Sequence, residues 1–384
     1  MSLEHTLSKL IRFRTISDDQ ETVADAFQWI KDQLQPVPVF IREYEHNGFK
    51  SMVITTKKNE KTPKVWLAAH IDVVHGSDRM FQPWVEDGKL YGRGAFDMKF
   101  AVACYIEFLK ELGMKAREYD FGIMITSDEE FSGSSDGNGT ESLFHQEGFS
   151  SDVVFLPDGG GVWEFEEAAK EGWLVKVTAR GRSAHGGRPW NGENAIRTLN
   201  EFLIELYKEF DAVWEENEEH WHPTLNVGNI SGGNAVNQVA DHAEALLDMR
   251  FPTAKERMQF EAIIAKLVEK YKTIEIESLT IFPAHNISRK NGEAKLFADI
   301  ARKKFGIECG WTKAHGASDA RFIGPLGIPV LLIWPDAAGA HSEHEHVDLN
   351  DLARYYEVMK EWVKQSTHRE TLLASPEKTV EVAA

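Results

Sequence analysis

Short apolar runs, each followed closely by acidic or imidazole side chains, constrain the fold of this chain more than any other feature. Parallel strands of an α/β sheet are buried on both faces and therefore consist of continuous apolar residues. Their carboxyl ends open onto the crevice where such sheets bind ligands. The side chains concerned are His70 and Asp72 after VWLAA, Asp97 within YGRGAFDMK, Glu129 and Glu130 after FGIMITSD, Asp158 after VVFLP, and His341 after PVLLIWPDAAGA. If these runs are neighbours in one sheet, imidazoles and carboxylates meet at one edge, and the sequence predicts a metal site there.

Strand-like and helix-like segments alternate through the first part of the chain. The apolar runs predict strands at 65–69, 121–126 and 153–156, and an apolar stripe predicts a helix at about 98–112. Gly113 follows where a glycine commonly ends a helix. This alternation predicts an α/β fold with a mostly parallel, helix-flanked sheet.

The pattern changes near residue 172, where segments with every second residue apolar begin to alternate with amphipathic helices. Their order, β-α-β-β-α-β, is typical of a small α+β domain. The α/β pattern resumes near residue 285. We therefore predict a catalytic domain in two parts, 1–172 and 286–384, with residues 173–285 inserted as a lid or dimerisation domain.

The composition narrows the possible partners. A chain of 384 residues is long for one core, and its net charge of −18 would repel nucleic acid and anionic membrane. The chain has no apolar leader and no long uncharged stretch, so we expect neither a signal peptide nor a membrane span. Its two cysteines, Cys104 and Cys309, are too few for a disulfide framework or a thiolate site, which favours a reduced, cytoplasmic setting.

The acidic and imidazole residues suit two divalent ions. Such a pair requires one bridging carboxylate and a mixture of nitrogen and oxygen ligands, which zinc accepts readily and cobalt or manganese can accept. Two dications carry four positive charges, and Asp97, Glu130 and Asp158 supply three negative ones. The remaining positive charge would hold a bridging hydroxide, the nucleophile that such sites generate.

Two neighbouring pairs predict a division of roles. Asp72 lies two residues after His70 and points the same way on an extended backbone, so we expect it to accept the imidazole N–H. Glu129 and Glu130 cannot point in one direction. One of them can bind metal while the other acts as a general base.

The motifs that contain these residues resemble those of the M20-type co-catalytic zinc metallopeptidases. This family includes dipeptidases, tripeptidases, aminoacylases, succinyl-diaminopimelate desuccinylase and a glutamate carboxypeptidase. The matching segments are AAHIDVV, YGRGAFDMK, TSDEEFSG, the aspartate after VVFLP, GRSAHGGRP with GENAI, and HSEHEHV. They occur in the family's order and extend from about residue 5 to 365.

The resemblance implies a ligand set with two zinc ions per subunit. His70, Asp97 and Asp158 would hold one ion, and Asp97, Glu130 and His341 the other, so that Asp97 bridges them. His344 and His346 are rival ligands, but the family's spacing favours His341.

The resemblance also implies roles outside the metal ligands. Glu129 would be the general base and Asp72 would orient the first imidazole. His185 would polarise the scissile carbonyl, in dimeric members from the partner subunit. Asn237 and Arg250 match positions that bind a substrate carboxylate in some members. A homodimer formed through the inserted domain is implied in the same way.

Three departures from the family pattern affect these expectations. Phe100 replaces a frequent glycine after D-M-K and is expected to narrow the approach to the site. Asn237 is followed by Gln238, Val239 and Ala240 without the usual proline. Asp158 is the residue type found in di- and tripeptidases, but three glycines follow it in place of a familiar specificity segment.

The predicted activity is hydrolysis of dipeptides or short peptides, and the alternative is deacylation of N-acylated amino acids. The segment SDARF at 318–322 either lines the pocket or begins a helix with Ser318 as its cap. The segment GSSDG at 133–137 fits the serine-nucleophile pattern G-x-S-x-G, although the strand before it ends too early. A binding protein that has lost its chemistry would lack one of the expected residues, and all of them are present.

Overall fold

The computed structural model describes residues 2–131, 138–214 and 220–368 of the chain. Its α-helices are α1 (Leu3–Arg12), α2 (Gln20–Leu34), α3 (Lys99–Leu112), α4 (Gly139–Glu141), α5 (Ala195–Asp211), α6 (Ala254–Lys270), α7 (Gly292–Phe305), α8 (Ala320–Ile323) and α9 (Leu349–Thr367). Its strands are β1 (Phe40–His46), β2 (Phe49–Thr55), β3 (Val65–His70), β4 (Trp84–Glu86), β5 (Lys89–Tyr91), β6 (Phe121–Thr126), β7 (Val153–Phe155), β8 (Glu164–Ala169), β9 (Glu171–Arg180), β10 (Thr224–Gly232), β11 (His242–Phe251), β12 (Ile274–Phe282), β13 (Gly310–Ala314), β14 (Val330–Leu331), β15 (Ala337–Ala338) and β16 (His346–Asp348). The G-x-S-x-G segment at 133–137 lies outside the described residues.

A six-stranded sheet in the order β1-β2-β6-β3-β7-β14 forms the centre of the larger core. The pairs β6–β3, β3–β7 and β7–β14 are parallel, and β1 and β2 add an antiparallel edge. All six residues of both β3 and β6 are buried, because helices pack on the sheet. The predicted α/β class with a mostly parallel, helix-flanked sheet is confirmed.

Helix α3 packs against the first two helices and against β3, and eleven of its residues are buried. It ends at Gly113, whose φ of 52° is one that glycine adopts readily. Phe100 on this helix is fully buried, with its ring edge-on to Tyr355 at 6.0 Å. The expectation that Phe100 narrows the approach to the site is therefore wrong, because its side chain belongs to the core.

The antiparallel edge of the sheet is a hairpin that the strand assignment from sequence missed. β1 and β2 pair in register from Phe40↔Thr55 to His46↔Phe49. Between them, Asn47 and Gly48 have φ values of 50° and 85°. Asn-Gly between two strands is a strong sequence signal for such a turn, so the hairpin was predictable.

A second, four-stranded sheet has the order β10-β11-β9-β12, with every neighbouring pair antiparallel. α5 and α6 pack on it around a separate apolar core. Gly172 pairs with Phe282, so the chain enters and leaves this unit side by side. The boundaries at 172 and 285, and any role of this unit as a lid, remain predictions.

Two smaller assemblies complete the larger body. β8 and β13 form a parallel pair, and β15, β16, β5 and β4 form a small sheet. The apolar run after Pro329 pairs with β7 only at Val330 and Leu331, so it is a shorter strand than its composition indicates. Within the described ranges, no helix combines the length and apolarity that a membrane crossing requires.

Candidate metal centre

The carboxyl ends of three adjacent parallel strands bring the predicted residues together. β6, β3 and β7 are neighbours in the sheet. His70 is the last residue of β3, Glu129 and Glu130 follow β6, and Asp158 follows β7. Asp97 lies in the turn just before α3. These segments therefore converge because of the parallel topology, as the apolar runs indicated.

The first ligand group consists of His70, Asp97 and Asp158. His70 Nε2 lies 3.0 Å from Asp97 Oδ1 and 3.9 Å from Asp158 Oδ1. On the other side of the ring, Nδ1 lies 3.0 Å from the carbonyl oxygen of Asp72. An Nδ1–H that donates to this carbonyl leaves the lone pair of Nε2 directed at the two carboxylates, as in histidines that bind metal.

The second ligand group consists of Asp97, Glu130 and His341. His341 Nε2 lies 3.1 Å from Asp97 Oδ2 and 3.0 Å from Glu130 Oε1. Asp97 thus faces one imidazole with each of its two oxygens. This arrangement is the one that a carboxylate bridging two ions requires.

Both groups fit divalent ions by donor type and by spacing. Within each group, one donor atom from every residue lies within 4.8 Å of the others. Imidazole nitrogens and carboxylate oxygens are ordinary zinc ligands, and thiolates are absent from both groups. A single ion can therefore reach all three donors of either group after small side-chain adjustments.

The pKa values show a strong negative potential around both imidazoles. Hydrogen bonds with Asp97 and Glu130 raise the pKa of His341 to about 10. Burial alone would lower the pKa of His70, but Asp158, Asp72 and Asp97 raise it well above its usual value. The potential that holds protons on these rings also attracts divalent cations.

Asp72 holds the backbone of the glutamate turn. Its carboxylate is fully buried and accepts from the N–H of Glu130 at 2.9 Å and of Glu129 at 3.3 Å. Ser17 Oγ donates to it at 2.7 Å. Its Oδ1 lies 3.5 Å from His70 Nδ1, further than its own carbonyl oxygen. The Asp72 carboxylate is thus bonded more closely to the glutamate turn than to the imidazole that it was predicted to orient.

Glu129 lies between two cavities. One, of about 270 Å³, is lined by the second ligand group and by Asp158 of the first, and the other, of about 230 Å³, lies on the side of Phe282 and Arg321. Burial, with the nearby charge of Asp158, raises the pKa of Glu129 well above its usual range. A carboxylate with raised proton affinity beside a metal site has the character of a general base.

Arg321 is a site residue whose role the sequence did not reveal. Its Nη1 lies 3.9 Å from Glu129 Oε1, and its guanidinium carbon lies 4.4 Å from the ring centre of Phe322 and 5.4 Å from that of Phe282. Its buried Nε has no hydrogen-bond partner among the described residues. The segment SDARF was recognised as a possible pocket wall, and Ser318 does line the larger cavity. Ser318 Oγ also accepts from Ala320 N at 3.4 Å.

A second unpredicted residue, Glu345, belongs to the motif HSEHEHV. It is fully buried and binds Arg93 Nη1 at 2.6 Å. It also accepts three backbone N–H groups of the turn that carries Asp97. The sequence shows this glutamate as part of the motif. It does not show that the side chain binds the backbone of Asp97, 248 residues earlier in the chain.

The remaining predicted residues lie away from the two cavities. His185 is exposed, its Nδ1 accepts from Gly187 N at 3.0 Å, and its backbone pairs with that of Gln238. Asn237 is close by, since its carbonyl accepts from Gly186 N at 2.7 Å. The structure thus brings His185 and Asn237 together, but neither is among the residues that line the two cavities.

Arg250 binds Asp248 through two bonds of 2.7 and 3.1 Å and lies over the ring of Phe282. Its guanidinium is therefore already engaged within the four-stranded sheet. Any contact of Arg250 with a substrate carboxylate has to compete with this pair, and its role remains a prediction.

The rival histidines have other partners. His346 lies in β16, with Nε2 3.2 Å from Lys89 Nζ and Nδ1 2.8 Å from the carbonyl of His344. Its ring packs against Tyr91 at 5.0 Å. Neither His344 nor His346 belongs to a ligand group among the described residues.

Comparison with known proteins agrees with this geometry. The model of peptidase family M20/M25/M40 matches residues 66–365. A succinyl-diaminopimelate desuccinylase of Thioalkalivibrio sulfidiphilus is 27% identical over 372 residues, which are 91% of this chain and 95% of that protein.

Solved structures share the fold at lower identity. A tripeptidase from Staphylococcus aureus superposes with a TM-score of 0.76 at 20% identity, covering 95% of this chain and 97% of its own. An M20 family metallo-carboxypeptidase from Sulfolobus solfataricus gives 0.73 at 17% identity, covering 95% and 99%. The family model spans most of the chain, and the ligand groups lie within it. This protein therefore belongs to peptidase family M20/M25/M40 and is a hydrolase of the metal-dependent peptidase and amidohydrolase type.

Proposed function

We propose that this protein is a di-zinc hydrolase that cleaves the amide bond of dipeptides or other short peptides. The observation that carries the proposal is Asp97, whose two oxygens face two imidazoles beside Glu129, a carboxylate with a raised pKa. His70, Asp97 and Asp158 would hold one ion, and Asp97, Glu130 and His341 the other. Bound divalent ions supply Lewis-acid activation of a water molecule and of the scissile carbonyl.

The protein's own residues would move the proton. Glu129, with its raised pKa, would accept a proton from the attacking water and return it to the leaving nitrogen. Asp72 fixes the backbone of Glu129 and Glu130, so that one carboxylate faces the ligand group while the other faces the substrate. The hydrogen bonds from the backbone of Glu129 and Glu130 to Asp72 would keep the base in position during the reaction.

The cavities support a short substrate. Glu129 lines both of them, so a scissile bond beside it places one residue of the substrate in each cavity. Volumes of about 270 and 230 Å³ suit single amino-acid residues better than a long peptide. Arg321 supplies a cation in the second cavity, on the side where a substrate carboxylate would lie.

Deacylation of N-acylated amino acids is the second candidate. The 27% identity with a succinyl-diaminopimelate desuccinylase over 91% of the chain favours it. The peptidase proposal rests on the aspartate at position 158 and on the acidic wall of the larger cavity. Both activities would use the same proposed metal ligands and the same proposed base.

The inserted unit would complete the site. We propose that His185 reaches the scissile carbonyl from a partner subunit or after closure of the unit, because it is exposed and outside both cavities. Asn237, its neighbour, would arrive with it. A homodimer through residues 173–285 and a cytoplasmic location are part of the same proposal. The net charge of −18 supports a small-molecule substrate over nucleic acid or a membrane partner.

A substrate screen tests the proposal. Protein reconstituted with zinc, cobalt or manganese is incubated with matched sets of dipeptides and N-acyl amino acids, and products are followed by mass spectrometry. We expect dipeptides to be cleaved faster, with activity abolished by a chelator and restored by metal. Faster cleavage of the N-acyl set would replace the peptidase proposal with the deacylase one, and chelator-resistant activity would refute the metal mechanism.

A further inference from the structure

The wall of the larger cavity contains a fifth carboxylate that the proposed chemistry does not use. Asp97, Glu130 and Asp158 are assigned to metal and Glu129 to proton transfer. Glu166, in β8, also lines this cavity and is only 2% exposed. It has no assigned role, so its position requires a separate explanation.

Among the described residues, only one of the two oxygens of the Glu166 carboxylate has a hydrogen-bond partner. Its Oε2 accepts from Gly160 N at 3.0 Å. Its Oε1 is buried and has no hydrogen-bond partner among the described residues. A buried carboxylate oxygen without a partner is costly, and in native proteins such an oxygen is explained by a ligand, an ion, a water molecule or a catalytic role.

The first two of the three glycines after Asp158 leave room for this carboxylate. A Cβ at Gly159 would lie 2.6 Å from Glu166 Oε2 and 2.5 Å from Leu332 Cδ2. Gly160 has a φ of 97° and donates the bond to Glu166. Any side chain at 159 would displace the carboxylate, so the glycine segment and Glu166 form one local structure.

The chemistry of the cavity indicates what Glu166 binds. No lysine or arginine is among the described residues that line it. The other lining residues are mostly small, among them Ala314, Gly316 and Ala317, and they include Trp334. The described titratable residues that line this cavity are five carboxylates and His341, and an unpartnered carboxylate oxygen in such a wall suits a small cationic hydrogen-bond donor. The N-terminal residue of an unblocked peptide carries one small cationic donor of this kind, its α-ammonium group.

We infer that Glu166 binds the free α-ammonium group of the substrate's N-terminal residue and so selects unblocked peptides over N-acylated amino acids. This inference rests on the proposed peptidase function and identifies the residue that sets its specificity. Glu166 is a specificity-determining residue and takes no part in the proton transfer.

The test compares two compounds that differ only in the ammonium group, alanyl-leucine and propionyl-leucine. For the metal-loaded full chain, the ratio of their kcat/KM values measures ammonium recognition. A charge-assisted hydrogen bond is worth about 1.5–3 kcal/mol, so Glu166→Gln should lower this ratio by about tenfold or more. Glu167→Gln is the matched control. Glu167 is the next residue of β8, is paired with Arg289 and does not line either cavity; its substitution should leave the ratio unchanged.

Calorimetric titration of both compounds into Glu129→Gln and into Glu129→Gln/Glu166→Gln keeps the test independent of turnover. Preferential binding of alanyl-leucine in the first protein and its loss in the second would support the inference. If the Glu166→Gln substitution weakens the binding of both compounds equally, Glu166 only supports the glycine turn and the inference is wrong. If the ratio of kcat/KM values is unchanged, the inference is also wrong, while the peptidase function stands. If neither compound is hydrolysed, the proposed function fails, and the titration still decides the role of Glu166. Glu166→Asp, which keeps the charge, replaces the glutamine variant if that variant does not fold.

Discussion

Replacement of Glu345 with glutamine should loosen the turn that presents the bridging carboxylate. Glu345 Oε1 accepts from the backbone N–H groups of Gly94, Phe96 and Asp97 at 2.8, 3.1 and 3.1 Å. Its Oε2 binds Arg93 Nη1 at 2.6 Å. Both partners of this ion pair are almost completely buried. One side chain therefore fixes the turn and neutralises a buried cation.

The expected cost follows from what glutamine can replace. Its carbonyl oxygen can keep the backbone N–H bonds, but its NH₂ group cannot accept from Arg93, and the guanidinium loses its counter-charge. Removal of one partner from a buried ion pair costs about 3–5 kcal/mol. Burial raises the pKa of Glu345, so desolvation already offsets part of the pair's attraction. We therefore expect a loss of about 3 kcal/mol, the lower end of that range.

The assay combines urea unfolding of chelator-treated protein with calorimetric titration of zinc. Glu345→Gln should lower the free energy of unfolding by about 3 kcal/mol. It should also weaken zinc binding by about 10–100-fold, as substitutions of residues that hydrogen-bond to metal ligands do. Glu343→Gln is the control, because Glu343 lies two residues away, is exposed and accepts hydrogen bonds from Ser77. It should unfold at the wild-type urea midpoint. Wild-type stability and zinc affinity in Glu345→Gln would refute this account of the turn.

Four further substitutions test the site and the fold. Glu129→Gln should bind two metal ions per chain by elemental analysis yet lose turnover by orders of magnitude; near-normal turnover would exclude Glu129 as the base. Asp97→Ala should lose metal from both ligand groups, and a fully metallated variant would contradict bridging. Arg250→Lys should raise KM for dipeptides more than for their C-terminal amides, and equal effects would exclude carboxylate recognition. Burial lowers the pKa of His285 to about 4, so the folded state resists protonation and stability is lost as pH falls from about 6.5 toward 4. His285→Leu should remove about 2 kcal/mol of the stability loss that the wild type shows between pH 7 and 4.5, measured by urea unfolding, and an unchanged pH dependence would refute the shift.

The convergence of the ligands was predictable because it depends on strand type. A run such as VWLAA can be buried on both faces only in the middle of a helix-covered sheet, so its end lies at the ligand edge. The structure has His70 and Asp158 at the ends of adjacent parallel strands for this reason. Asp97 was harder to assign, since it follows no strand, and only its motif indicated it.

Other features depend on tertiary contacts, which the spacing of apolar residues in the sequence does not predict. Phe100 was assigned to the approach because of its place in a motif, yet the face of α3 on which it lies turns into the core. Glu166 is an ordinary acidic residue in the sequence. Only the structure shows that its carboxylate packs against the glycines that follow Asp158 and accepts a hydrogen bond from one of them. Arg321 likewise approaches Glu129 from a distant segment of the chain.

The contacts of the HSEHEHV segment imply that the two ligand groups do not act independently. His341 binds one oxygen of Asp97, and Glu345, four residues later, accepts the backbone N–H of the same aspartate. The other oxygen of Asp97 faces His70. A displacement of this segment would therefore move the carboxylate that the two proposed ion sites share. Two ions bound as proposed would both depend on Asp97, so a single substitution at Glu345 should weaken the binding of both.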